Sequence, residues 1–339
     1  MWHMSGTDYL ALSTSKDPFP YAVVIRPSQV TISRWTRSGD LEIMTVPGTE
    51  NYRDYIRDAA IFHSRIVKVD RKEYLMEGES MIPSPPKIHD LATATSILRE
   101  VIDSANQKFE MKSDYGGLFV PTCFNSSSLE AASKSMFVDV EKWASVPVKI
   151  GYVAPAACLA YGLDRCENLG RTHEECTGKH ESENYILFIE YEEEYMHLSI
   201  ISAEYEWGSF PSVTEKLTQV FGTRGSEDIR KRVGPDSFRQ QLLDYIRDFI
   251  DTSISGREEY LQRKDIRAII VSGDATVHRI TEIQETAKQA VGNGAVKVLD
   301  SILSSEVVAY GAAIYARNTV LKPHLWGLPP LDESIHDEL

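Results

Sequence analysis

Tyr185-Ile186-Leu187-Phe188-Ile189-Glu190-Tyr191-Glu192-Glu193-Glu194-Tyr195-Met196-His197-Leu198-Ser199-Ile200-Ile201 sets two apolar runs on either side of a short polar centre. Runs of this length, this close together, predict a β-hairpin with a tight turn. The turn, Glu190 to Tyr195, holds no glycine or proline, and its carboxylates crowd the tip. By itself the window reads as a solvated acidic hairpin.

On its N-terminal side, Tyr9 to Ser15 reads as a first strand and its turn. Tyr21 to Ile25, Val30 to Ser33 and Leu41 to Met44 follow as short strands. Asn51 to about Ile66 and Leu91 to about Phe109 carry apolar residues at helical spacing. Between them, Ile82-Pro83-Ser84-Pro85-Pro86 is a connector that can neither continue a helix nor enter a ladder. Tyr115 to Pro121 predicts a short buried strand, and Ser126 to Phe137 a helix capped by Ser126, Ser127 or Ser128. Val146 to Ile150 predicts a strand closed by a turn at Gly151, before a helix rich in small residues, Ala156 to Gly162.

On its C-terminal side, Val213 to Phe221 and Ser237 to about Ile250 read as amphipathic helices. Ile266 to Val271 reads as a strand ending in Ser272-Gly273-Asp274, and Val277 to Ala290 as a helix. A short strand over Lys297 to Leu299 and a helix over Glu306 to Ala316 precede a tail with Pro323, Pro329 and Pro330. Strands alternating with helices predict an α/β layer architecture, with no internal repeat visible in the sequence.

A chain of 339 residues holds two domains or one large two-lobed one. Its net charge of −14 argues against a nucleic-acid partner, which calls for a basic face. No run approaches the roughly 18 apolar residues of a membrane span. Met1 to Gly6 has neither the basic nor the apolar region of a secretory signal. The expectation is therefore cytoplasmic. The closing His336-Asp337-Glu338-Leu339 is an endoplasmic-reticulum retention address and makes the lumen the alternative. Of the four cysteines, Cys123 and Cys158 sit in apolar surroundings and read as buried thiols. Cys166, His173, Cys176 and His180 share one polar segment. Their types suit zinc but their spacing fits no standard pattern, so an ordinary loop, a disulfide and a metal site all stay open. Overall, no metal site is expected.

Four windows carry a family resemblance. Val120-Pro121-Thr122-Cys123-Phe124-Asn125-Ser126 is similar to V-P-A-Y-F-N-D, and Ala156 to Arg165 to A-A-A-I-A-Y-G-L-D-K. Ile270-Val271-Ser272-Gly273-Asp274-Ala275-Thr276 is similar to L-V-G-G-S-T-R, and Glu306 to Ala313 to E-A-V-A-Y-G-A-A. In this order the windows resemble the ATPase domain of the seventy-kilodalton heat-shock proteins. The resemblance implies a two-lobed actin-like α/β fold with a reduced first lobe. Residues 1–165 would form the first lobe, 166–320 the second and 321–339 a C-terminal tail. No stretch is left for the family's peptide-binding domain.

The resemblance also implies which residues face ATP. The first phosphate hairpin, D-L-G-T-T, falls on Ala11-Leu12-Ser13-Thr14-Ser15, placing Ser13 and Thr14 at the site. The second, D-L-G-G-G-T, falls on Glu190 to Tyr195, so Glu192, Glu193 and Glu194 replace glycines. Glycine suits that loop because its backbone N–H groups must approach an anion closely. Like charges ~4 Å apart repel by about 1 kcal/mol in water and ~4 kcal/mol at an effective dielectric of 20. On the adenosine side, Ser272, Gly273 and Asp274 complete the set. The family's catalytic glutamate falls on Val153. The expected outcome is a degenerate ATP site without turnover, and ATP with magnesium is not the expected cofactor.

Asp274 and His278, one helical turn apart, form a candidate acid–base pair, against the simpler reading of an N-cap aspartate and a surface histidine. Cys123 and His197 make a nucleophile pair only if folded together. Asn125-Ser126-Ser127 is a glycosylation sequon, relevant on the secretory route. Three readings follow: a non-hydrolysing binding or regulatory scaffold first, an enzyme with a repurposed cleft second, and an ATP-binding chaperone-like protein third. The partner is a protein or a small molecule in the inter-lobe cleft.

Overall fold

The computed structural model describes residues 20–36, 38–69, 90–108, 115–136, 149–172, 184–203, 210–255, 257 and 261–321. The expected first strand at Tyr9 to Ser15, the proline-rich connector and the C-terminal tail beyond Leu321 lie outside them.

Ten described strands form two mixed sheets. The first contains β1 (Tyr21–Ile25), β2 (Gln29–Trp35), β3 (Leu41–Pro47), β4 (Tyr115–Val120) and β5 (Lys149–Tyr152), in the order β3-β2-β1-β4-β5. The second contains β6 (Tyr185–Tyr191), β7 (Met196–Ser202), β8 (Ser212–Thr218), β9 (Ile266–Ser272) and β10 (Lys297–Leu299), in the order β10-β9-β6-β7-β8. In both sheets, three consecutive antiparallel strands are followed by two strands added in parallel beside the first. Read from the third strand of each, the orders are the same. The sequence shows no repeat, yet the topology is duplicated.

The helices are α1 (Glu50–Val69), α2 (Leu91–Lys108), α3 (Ser126–Met136), α4 (Val153–Ala160), α5 (Thr223–Val233), α6 (Pro235–Ile254), α7 (Val277–Val291) and α8 (Val307–Leu321). Alternation along the strands sorts them into layers, because successive side chains point to opposite faces. Tyr21, Val23 and Ile25 of β1 pack with α1, α2 and α3, whereas Ala22 and Val24 face α4 and α8. In β6, Leu187, Ile189 and Tyr191 pack with α5, α6 and α7, whereas Ile186 and Phe188 face the same α4–α8 layer. Both sheets are therefore covered on both faces. This explains why β1 and β6 read as continuous apolar runs rather than alternating ones.

The middle layer requires small residues. A Cβ on Gly311 of α8 would stand 1.7 Å from the carbonyl oxygen of Ala156 in α4, so the helices touch through backbone. Ala156, Ala157, Ala312 and Ala316 line the same layer and are buried. The chain thus returns at α8 to pack on α4 and on β1, β2 and β4.

Several expectations need correction. Val213 to Phe221 is not a helix. Val213 and Leu217 fit helical spacing, but Val213, Thr214 and Thr218 are β-branched, and pairing with β7 makes β8. The helix starts after Gly222, at Thr223. Helix α3 is capped by Asn125, whose Oδ1 accepts the Ser128 backbone N–H at 2.9 Å, not by one of the three serines. Gly151 makes no turn: it lies inside β5, and α4 follows directly at Val153.

Candidate functional site

The turns of both sheets meet at one cleft. The β1–β2 turn is tight, with reciprocal bonds between Arg26 and Gln29 backbones across Pro27 and Ser28. Opposite it stands the β6–β7 turn, Glu192 to Tyr195, closed by the Glu192 N–H on the Tyr195 carbonyl at 2.9 Å. The turn after β9 (Gly273, Asp274, Ala275) and the Ser304–Ser305 turn before α8 complete the rim.

Arg26 joins these parts. Its guanidinium donates to Glu192 Oε1 at 2.8 Å and to the Ser305 carbonyl at 2.6 Å, and it pairs with Asp274 Oδ1 at 2.9 Å. Ser28 donates to the other Asp274 oxygen at 2.7 Å. Tyr52 of α1 donates to the Arg26 carbonyl at 2.6 Å and holds the turn from beneath. Burial opposes the Arg26 charge, but Glu192 and Asp274 outweigh it and raise its proton affinity. Burial also pushes the Glu192 carboxyl up to about 8, against the pull of Arg26.

Glu190 and Glu192 are only 2% exposed, so the hairpin is not a solvated acidic turn. Glu190 is the penultimate residue of β6 and accepts Tyr195 Oη at 2.7 Å and Thr122 Oγ1 at 3.3 Å. Burial raises its carboxyl above the ordinary range. Among the three glutamates of the turn, Glu193 and Glu194 reach solvent, where Arg224 pairs with both at 2.6 and 3.1 Å.

The missing turn glycine has an explanation here. The Glu192 and Glu193 carbonyls accept the backbone N–H groups of Thr223 and Arg224 at 2.9 and 3.1 Å. Those amides open α5 and have no partner within their own helix. The hairpin tip is therefore held by another element, not by its own turn chemistry. Gly222 permits the contact, since a Cβ there would stand 2.5 Å from the Tyr195 nitrogen.

Gly273 meets a similar constraint. Its φ is +152°, and a Cβ would meet the Tyr191 carbonyl oxygen at 1.8 Å. Its N–H donates to the Ser304 carbonyl at 3.1 Å. Backbone N–H groups of Glu192, Thr223, Arg224 and Gly273 all face inward to protein carbonyls. A bound phosphate would have to break those bonds.

The remaining cleft has a volume of about 440 Å³. Glu192, Glu193, Glu194, Glu227, Asp228 and Asp274 line it, against Arg53, Arg224 and Lys231. Carboxylates outnumber the cations, which is the wrong balance for a triphosphate.

The predicted residues fare differently. Glu190, Glu192, Glu193, Glu194, Ser272, Gly273 and Asp274 gather at the junction of the two sheets, while Ser13 and Thr14 lie outside the described residues. Asp274 binds Arg26 and Ser28 and does not cap α7, whose N-cap is Thr276. His278 is exposed on α7. Cys123 packs near Glu190 and Tyr195, whereas His197 faces His63 and Glu215. Cys166 opens a short turn of 3-10 helix, and His173, Cys176 and His180 lie outside the described residues. Arg26, Ser28, Tyr52 and Arg224 were missed. The one local signal was a basic residue and a proline, Arg26-Pro27, between two strand-like runs.

Comparison with protein-family models finds no match, and comparison with curated proteins finds none either. The fold and site define a mixed α/β protein with two sheets of like topology, joined through the buried Arg26–Glu192 ion pair. No described helix is long and apolar enough to cross a membrane.

Proposed function

We propose that the chain is an actin-like, heat-shock-ATPase-like protein whose nucleotide cleft is closed by its own ion pairs, and that it acts as a non-hydrolysing scaffold. A two-lobed reading calls for two similar sheets facing one cleft, and the duplicated strand order supports it. By topology, the counterpart of the β6–β7 turn in the first sheet is Arg26-Pro27-Ser28, so this turn takes the role of the first phosphate hairpin.

The observation that carries the proposal is the Arg26 guanidinium held between Glu192 and Asp274. In an ATPase of this type the two hairpins grip an anion between them. Here an arginine from one turn meets a glutamate from the other, and the cation and its counter-charges are built into the protein. Without preorganised donors for the transferred phosphoryl group, turnover has no electrostatic support.

Thermal denaturation with Mg-ATP, Mg-ADP and no ligand tests this. Neither nucleotide is expected to raise Tm, and phosphate release should stay at background. A clear stabilisation lost in the cleft-lining variant Ser28→Trp, accompanied by phosphate release, would overturn the proposal. Substitutions at Gly273 are unsuitable as blocking variants, because any side chain there strikes Tyr191.

The acidic lining of the cleft favours a second reading, in which the cleft takes a cationic small molecule. Stabilisation by polyamines that disappears in Glu227→Gln/Asp228→Asn would support it.

A further inference from the structure

On the far side of the inter-sheet junction, three side chains from three elements converge. His63 comes from α1, His197 from β7 and Glu215 from β8. One ligand atom from each lies within 4.8 Å of the others. His197 Nε2 is 3.6 Å from one Glu215 oxygen, and His63 Nε2 is 4.0 Å from the other. Both separations exceed a hydrogen bond.

His197 is fully buried, and neither of its ring nitrogens has a hydrogen-bond partner. His63 Nε2 is likewise buried and without a hydrogen-bond partner. Buried polar atoms are nearly always satisfied, so orphaned nitrogens aimed at a carboxylate call for something between them. The His63 and His197 rings stand edge-on at 76°, with centroids 6.3 Å apart.

We propose that His63, His197 and Glu215 bind a zinc-type divalent cation, which ties α1 to the β7–β8 edge. Two imidazoles and one carboxylate are a donor set that zinc accepts, leaving one tetrahedral position open. Zinc bonds of about 2.0–2.2 Å place tetrahedral ligands roughly 3.3 Å apart, so small side-chain rotations close the observed spacings. Glu215 is 35% exposed, so water reaches the fourth position. Tyr152, at the end of β5, lies near enough to feel the Glu215 charge. Glu190 is the cross-strand neighbour of His197. The inference is independent of the cleft reading. It concerns different residues and survives if nucleotide binds.

The test is zinc titration of the chelator-stripped full chain against a chromophoric competitor. One equivalent should bind. His63→Ala and Glu215→Gln should each weaken binding at least about tenfold, the minimum loss typical even of an outer-shell partner. Metal-free melts of both variants should still show one cooperative transition, so that lost binding is not lost folding; His63→Ala should melt somewhat lower, because its side chain is only 15% exposed. A Cys166→Ser/Cys176→Ser variant should bind as the parent does. Cobalt in place of zinc should show the intense visible bands of a four-coordinate site without sulfur charge transfer. Absence of stoichiometric binding would overturn the proposal. So would binding indifferent to both the His63 and Glu215 changes, or binding lost with the cysteines.

Discussion

Replacing Arg26 with methionine keeps much of the side-chain volume and removes the charge that links the two sheets. The guanidinium's bonds to Glu192 at 2.8 Å, Asp274 at 2.9 Å and the Ser305 carbonyl at 2.6 Å would all be lost. These losses are unequal. Asp274 is 29% exposed, so water recovers most of its interaction. Glu192 is buried, and stripping its partner leaves an uncompensated carboxylate, a change that costs about 3–5 kcal/mol. Protonation offers Glu192 an escape, because burial already pushes its carboxyl up to about 8. The loss should therefore be smaller at pH 5 than at pH 8, where about 3 kcal/mol is expected. At roughly 2.1 cal/mol/K of unfolding entropy per residue, a chain of 339 residues shifts by about 1.4 °C per kcal/mol, so Tm at pH 8 should fall by about 4 °C. Arg26→Met/Glu192→Leu should recover most of that fall, because an apolar pair can replace a buried ion pair. Thermal and urea melts of parent, single and double variants at both pH values measure all of this. A single variant within about 1 kcal/mol of the parent, or a double variant as unstable as the single, would refute the reasoning.

Glu192 should also leave a signature in the unaltered protein. Its folded carboxyl titrates near 8, above the 4.5 of a free glutamate, so the folded state binds the proton more tightly. That contribution to stability is present in full below about pH 4.5 and is lost as pH rises towards 8. Glu190 is shifted in the same direction, and Arg26 stays charged throughout. The Tm difference between Glu192→Gln and the parent should become more positive from pH 5 to pH 8, and a flat or falling difference would contradict this. In the middle layer, Gly311→Ala drives a methyl into the Ala156 carbonyl, and forced overpacking costs about 1–3 kcal/mol or more. Its Tm should drop by several degrees. Gly294→Ala, with nothing within 4 Å of the new methyl, should be near neutral.

Most strands and helices were legible because their signals are local. The β6–β7 hairpin, β9, β10, α2 and α7 follow from apolar runs, from the 3.6-residue spacing and from breaks at polar turns. Where local signals conflicted, tertiary pairing won. Val213 to Thr218 satisfies a helical spacing and a β-branched composition together, and only the neighbouring β7 decides for a strand. The capping of α3 failed more narrowly, because Asn125 and the serines after it are all competent caps.

The site was half legible. The resemblance, not composition or spacing, grouped the glutamates of the hairpin with the Ser272-Gly273-Asp274 turn, and the structure sets Glu192 and Asp274 on one guanidinium. The sequence could not reveal that Glu190 and Glu192 are buried, since an acidic run ordinarily faces water. Burial became possible only because Arg26, 166 residues away from Glu192 in the chain, supplies a counter-charge. The same holds for the histidines: His63 and His197 share no motif, and α1 must pack against β8 before they meet Glu215. Secondary structure was written in short windows of sequence. The ion pairs that close the cleft and the unpaired imidazoles behind it depend on desolvation and on contacts between distant segments, which only the tertiary structure decides.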